Sequence, residues 1–182
     1  AAIATETSGE LLVTSGSYET LSNIAGARLI HKNFEWLGPM HFDPAELEFA
    51  QRLQEATGKE PTGLKTRPEP LNEHPGQPEG GSTDVGDVSW VVPTLHLSVT
   101  TAPADTPWHA WPVVAAGGMS IGHKGMMHAA KVMAAPAVEL YSDPSHLVAI
   151  RREFEQQTRG KPYVSPIPEH IPPPRFEPDE ED

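Results

Sequence analysis

The chain has no cysteine. Thiolate catalysis, a cysteine metal site and a disulfide framework are therefore excluded, and no clue to a redox compartment is left. No apolar run approaches the ~20 residues that a membrane-spanning helix needs. Basic residues are scarce, 13 Lys and Arg against 25 Asp and Glu, which sets the net charge at −12. That balance argues against nucleic acid and against an anionic membrane surface as partners, but it suits a cationic metal. Apolar residues make up 37% of the chain, little for a packed domain, while prolines number 20, so much of the chain must be loop. There is no P-loop and no dinucleotide fingerprint, and nothing in the pattern is read as a serine-nucleophile elbow. The first residues, AAIATETSGELLV, carry no basic n-region and are not read as a signal peptide; the expected compartment is the cytoplasm. An opening that reads like the middle of a domain suggests precursor cleavage or a split gene.

What is present falls into periodic segments. Leu11, Leu12 and Val13 before Ser15-Gly16-Ser17 predict a strand over 10–18. Leu21, Ile24, Leu29, Ile30, Phe34 and Leu37 keep a 3.6-residue period and predict a helix over 20–37, closed by Gly38-Pro39. Asp43-Pro44 with Glu46 predicts a capped helix that ends near Thr57-Gly58. Residues 58–82 are rich in glycine and proline and read as a long loop. Val91 to Thr100 is β-branched and predicts a buried strand. A glycine-rich lead with Ser120 as N-cap predicts a helix from 120 to 135, stopped by Pro136, and Asp143-Pro144 opens another that uses Leu147, Ile150 and Phe154. The Pro-rich tail ends in Asp179-Glu180-Glu181-Asp182 and is given no chemistry.

Three constellations could carry chemistry. His109 stands between Trp108 and Trp111, just after Pro107, as a walled-in imidazole fit to ligate a metal, or as an ordinary packed or surface histidine. One ligand makes no site, since three or four are needed. Asp84 and Asp87, with Gly86 between them, could hold a metal, orient a histidine or shift each other's ionisation; the plainer reading is a polar turn with Asp caps. His123-Lys124, at a helix start with free N–H groups, could hold a substrate carboxylate or form a glycine-flanked surface turn. His128 could simply face a neighbouring element.

The segments STDVGDVSWVVPT (82–94), TPWHAW (106–111) and GGMSIGHKGMMHAAKVMAA (117–135), with FDPAELEFAQRLQ (42–54) and PYVSPIPEHIPP (162–173), resemble the C-terminal portion of metal-dependent amidohydrolases of the aminoacylase/carboxypeptidase clan. The resemblance implies an α/β fold of mixed α+β character. Residues 37–163 would be the C-terminal part of a two-metal zinc-peptidase-like catalytic domain, 1–36 the last strand and helix of an inserted ferredoxin-like lid, and 164–182 an acidic tail. His109 falls where the family has its last metal ligand. Asp87, with Asp84 beside it, falls where an acidic residue supports that ligand. Asn23 falls where relatives carry an asparagine that contacts substrate, although Ser22 stands where they have proline. The other ligands and the general-base glutamate lie upstream in relatives, so no catalytic residue is expected in this chain.

The reaction implied is hydrolysis of an amide in an N-acyl or aminobenzoyl amino acid by a metal-activated water, with Mn or Zn as one or two divalent ions. The expected partners are a companion N-terminal chain, a second such pair in a dimer, and a small-molecule substrate. His123 and Lys124 would steer its anionic end. Two alternatives stand beside this: hydrolysis of a non-peptide C–N bond in an aromatic amine, and a regulatory or structural subunit with a degenerate site.

Overall fold

The structure is a computed structural model that describes residues 2–74 and 83–172. Among the described residues, a short 3-10 turn at Ala2–Thr5 is followed by six helices: α1 (Ile24–Leu37), α2 (Pro44–Ala56), α3 (Val85–Val91), α4 (Trp111–Gly117), α5 (Ser120–Ser142) and α6 (Pro144–Thr158). α5 is the hub, packing against α1, α4 and α6, and α6 also packs against α1. The boundary expected near residue 36 lies at the end of α1, a helix that packs against both α5 and α6.

Among the described residues there is no strand, and the expected α/β class is not what they form. A strand is stable only when its N–H and C=O groups find a ladder partner. The segment 10–18 has no such partner, and its leucines face solvent, Leu11 at 89% exposure. The segment expected as a strand over 91–100 is divided. Val91 ends α3, and the following residues pack Leu95, Leu97 and Val99 on the buried Ile30, Phe34 and Val132. The β-type alternation is thus used for packing on helices.

The helix ends follow local chemistry. Asp43 and Glu46 make the predicted reciprocal cap of α2: Glu46 N–H donates to Asp43 Oδ1 at 3.0 Å, and Asp43 N–H donates to Glu46 Oε2 at 2.7 Å. α1 starts at Ile24, later than its apolar period suggests, because Asn23 is its N-cap and accepts from Gly26 N–H at 2.9 Å. Glu153 of α6 adds a second cap: both its oxygens accept from the first N–H groups of α1, Ile24 at 2.7 Å and Ala25 at 2.8 Å. α5 does not stop at Pro136 but runs through it to Ser142, with the proline buried inside the helix. Packing against three neighbouring helices offsets the one hydrogen bond that a proline removes. The glycine-rich lead is likewise not all loop, since Trp111–Gly117 forms α4 with Pro112 in its first turn.

Loops are pinned by buried polar side chains. Gln54 is nearly inaccessible; it accepts from Gly63 N–H at 2.7 Å and donates to Thr62 Oγ1 at 3.0 Å and to the Ala104 carbonyl at 2.9 Å. The second core patch, Ala50, Leu64 and Ile121, lies beside this anchor and joins α2 to the start of α5.

Candidate functional site

His109 precedes α4 in a loop whose backbone is twice left-handed, at Asp105 (φ 56°) and at His109 itself (φ 63°). A non-glycine residue in that region carries strain, and such residues concentrate at functional sites. The imidazole is exposed, and Trp108 and Trp111 are exposed by 69% and 59%, so the indoles do not wall it in. Trp108 does line a cleft of about 420 Å³, which lies between α1 and the segments 65–71 and 96–106. His31, His96, Lys65, Arg67, Glu69 and Asp105 bring both charge signs to that cleft.

Among the described residues, no group of three or more His, Asp or Glu side chains is placed to hold a metal ion. A metal ion held at His109 would need its other ligands from beyond the described residues.

Asp87 lies in the first turn of α3, where its Oδ1 accepts from Tyr163 Oη at 3.0 Å and from Tyr18 N–H at 3.4 Å. It ties the N-terminal segment to the segment after α6. Burial, and then the Asp87 carboxylate, push the Tyr163 phenol up from its ordinary ionisation. The Tyr18 ring packs on Trp90 and Tyr163 at 5.0 and 5.5 Å between centroids, and Gly86 is held against the Tyr18 carbonyl, where a Cβ would have no room. Asp84 is exposed, stands before α3, and makes no side-chain cap. Asn23 uses its carbonyl to cap α1 and its amide to donate to the Ile150 carbonyl of α6 at 2.9 Å.

His123 and Lys124 lie in the first turns of α5. His123 is exposed, but Lys124 is committed to the chain itself: its Nζ donates to the buried Glu46 carboxylate, with Asp43 Oδ2 at 3.8 Å. Burial alone would raise the Glu46 carboxyl. Hydrogen bonds from Lys124, Ser120 and the Asp43 backbone, together with the Lys124 charge, overcome it and bring the group down to about 2.

Several of these pairings leave no local signal in the residues. Glu46 is legible as a capping partner, but its second partner lies 78 residues away. Glu139 of α5 accepts from Lys32 at 2.7 Å and Asn33 at 2.8 Å on α1, which hold its carboxyl below the usual range. The expected absence of a nucleophile elbow needs a correction, because Gly118-Met119-Ser120-Ile121-Gly122 does spell Gly-x-Ser-x-Gly. Such an elbow needs a strand leading into its turn. Here α4 precedes it and Ser120 is the first residue of α5, so the letters match without the geometry.

No family model matches the chain, and no solved structure matches it. The chain is, however, similar to one component of a multi-subunit hydrolase. That relative is a subunit of p-aminobenzoyl-glutamate hydrolase from Escherichia coli (strain K12), 45% identical over 92 residues, which make up 50% of this chain. The match spans only 19% of the relative's length. No helix among the described residues is long and apolar enough to cross a membrane.

Proposed function

We propose that this chain is one part of a hydrolase of the aminobenzoyl-glutamate type, acting on the amide bond of an aminobenzoyl or N-acyl amino acid. The observation that carries this is the 45% identity over 92 residues to a hydrolase subunit. The rest of the machinery would come from a companion N-terminal chain, which would bring the general base. The supporting observation is that the relative is itself named as one subunit of a hydrolase.

In this reading His109 is the chain's ligand to a divalent ion, Mn or Zn, shared with the companion. The ion, when bound, would polarise the amide and acidify a water. What supports His109 is its exposure and its left-handed backbone, which present an imidazole outward from a pinned loop. Asp87 supports the site at a distance by fixing α3 to Tyr18 and Tyr163. Lys124 is engaged by Glu46, so steering of an anionic substrate falls to the exposed His123.

The test is to purify the chain with whatever polypeptide accompanies it in its source and identify the components by native mass spectrometry. Release of p-aminobenzoate from p-aminobenzoyl-glutamate is then assayed. The expected result is turnover by the pair and none by this chain alone. A pair that is inert on both aminobenzoyl-glutamate and N-acyl amino acids overturns the reading. If that inert pair also lacks bound Mn, Zn, Co and Ni, the structural-subunit alternative takes its place.

A further inference from the structure

α5 is apolar on both sides. Ile121, Gly125, Val132 and Pro136 are buried on the side that faces the rest of the chain. The opposite side is apolar too, and it is open. Met126, Met127, Met133 and Val138 are each more than half exposed, and Tyr141 is 92% exposed. Ala130 and Ala134 are exposed between them. Charge is nearly missing from that face. Lys124 is turned to Glu46, and Glu139 to Lys32 and Asn33. Lys131 is left, exposed at the edge of the face where it borders the cleft toward His41, and without an ion pair among the described residues.

The other long helices show solvent a different surface. α2 turns Glu48, Gln51 and Arg52 outward, and α6 turns Arg151, Arg152 and Glu155 outward. A helix that is apolar all round belongs in an interior, because water on either side leaves apolar area unburied. α1, α4 and α6 pack on α5 and still leave this side open. α5 has 23 residues, so it runs roughly 35 Å. A face of that length suits the apolar centre of an interface burying about 800 Å² per partner, and it is no scatter of single surface residues.

We propose that this face docks the companion polypeptide, which meets it with an apolar surface and sets a carboxylate opposite Lys131. That occupant rests on the companion-chain reading. The region matched in the related subunit is only 19% of that subunit, so most of its length lies outside what this chain matches. A second copy fits worse. It would bring another −12 of charge and a second lysine where the face calls for an acid. A lipid bilayer fits worse as well, since no helix among the described residues is long and apolar enough to cross one, and an anionic lipid surface repels an acidic chain. Methionine suits the role, because its unbranched, polarizable side chain adapts to the shape of a partner.

The experiment takes the chain together with the polypeptide that accompanies it in its source, identified by mass spectrometry, and compares that pair with the chain alone. Oxidation by dilute hydrogen peroxide is read at each methionine. Met126, Met127 and Met133 oxidise in the free chain and slow at least about tenfold in the pair, whereas buried Met40 is slow in both. Ala134→Glu, in the middle of the face, weakens the pair at least about a hundredfold, and Lys131→Glu about tenfold. Lys131→Arg, and Gln156→Glu on the outer side of α6, leave the pair unchanged. Circular dichroism checks that each variant keeps the parent's helix content; where one does not, the methionine protection of the unaltered chain decides. A pair whose three methionines react as they do in the free chain, or that survives Ala134→Glu, overturns the proposal and leaves the hydrolase reading standing. A chain with no companion, or one that dimerises with itself through this face, overturns it too. A pair closed on this face but inert on both aminobenzoyl-glutamate and N-acyl amino acids upholds the docking face and overturns the hydrolase reading.

Discussion

The ammonium of Lys124, on the first turns of α5, donates to the buried carboxylate of Glu46, which also closes the capping box of α2. One carboxylate thus satisfies a helix start and a cross-chain cation. Its other oxygen is shut from solvent.

Glu46→Gln should destabilise the chain by about 2 kcal/mol at neutral pH, because it leaves Lys124 without its closest counter-charge and weakens the cap. Urea unfolding of the two proteins measures the difference. An unchanged midpoint would mean that the pair contributes nothing net.

The same carboxyl sets an acid limit. It is held at about 2, against an ordinary value of 4.5. A depressed folded-state pKa adds stability that is fully present above the unfolded value and is lost as pH falls through the folded one. Stability should therefore decline from about pH 4.5 toward about pH 2, and Glu139, also lowered, acts in the same direction. Denaturation midpoints across that range should fall less steeply for Glu46→Gln than for the parent.

His109→Gly separates stability from activity. Glycine relieves the left-handed backbone at φ 63°, so the chain should gain up to about 1 kcal/mol, while the assembled hydrolase loses at least about a hundredfold in turnover. Thermal melts and the p-aminobenzoate assay read the two effects. A variant with full turnover would remove His109 from the reaction.

Gly122→Ala and Gly117→Ala should part in sign. A Cβ at Gly122 would run into the Gly117 carbonyl, whereas one at Gly117 meets nothing within 4 Å. The first should destabilise despite the better helix propensity of alanine. The second should be neutral or stabilising by up to about 1 kcal/mol. Equal effects would mean that the α4–α5 junction relaxes freely.

Asn23→Ala should cost about 1–2 kcal/mol, since it removes the cap on Gly26 and the bond that ties α1 to the Ile150 carbonyl of α6. Thermal denaturation tests it, and a melting temperature equal to the parent's would show that Glu153 caps α1 alone.

Helix starts are legible in the residues because a cap is a local device. Asp43-Pro44 and Asp143-Pro144 carry their own donors, acceptors and fixed φ, and both open helices where the letters place them. The resemblance to a hydrolase also needs only order in the chain, since 92 aligned residues require no coordinates. The strands expected at 10–18 and 91–100 do not form, because β-branched alternation states which faces are apolar and not what will pair with them. Only the tertiary structure decides that Leu95, Leu97 and Val99 pack on helices, that Pro136 stays inside α5, and that Lys124 turns inward to Glu46. Each depends on a group far away in the chain, and a contact of that range is set by how the helices stack.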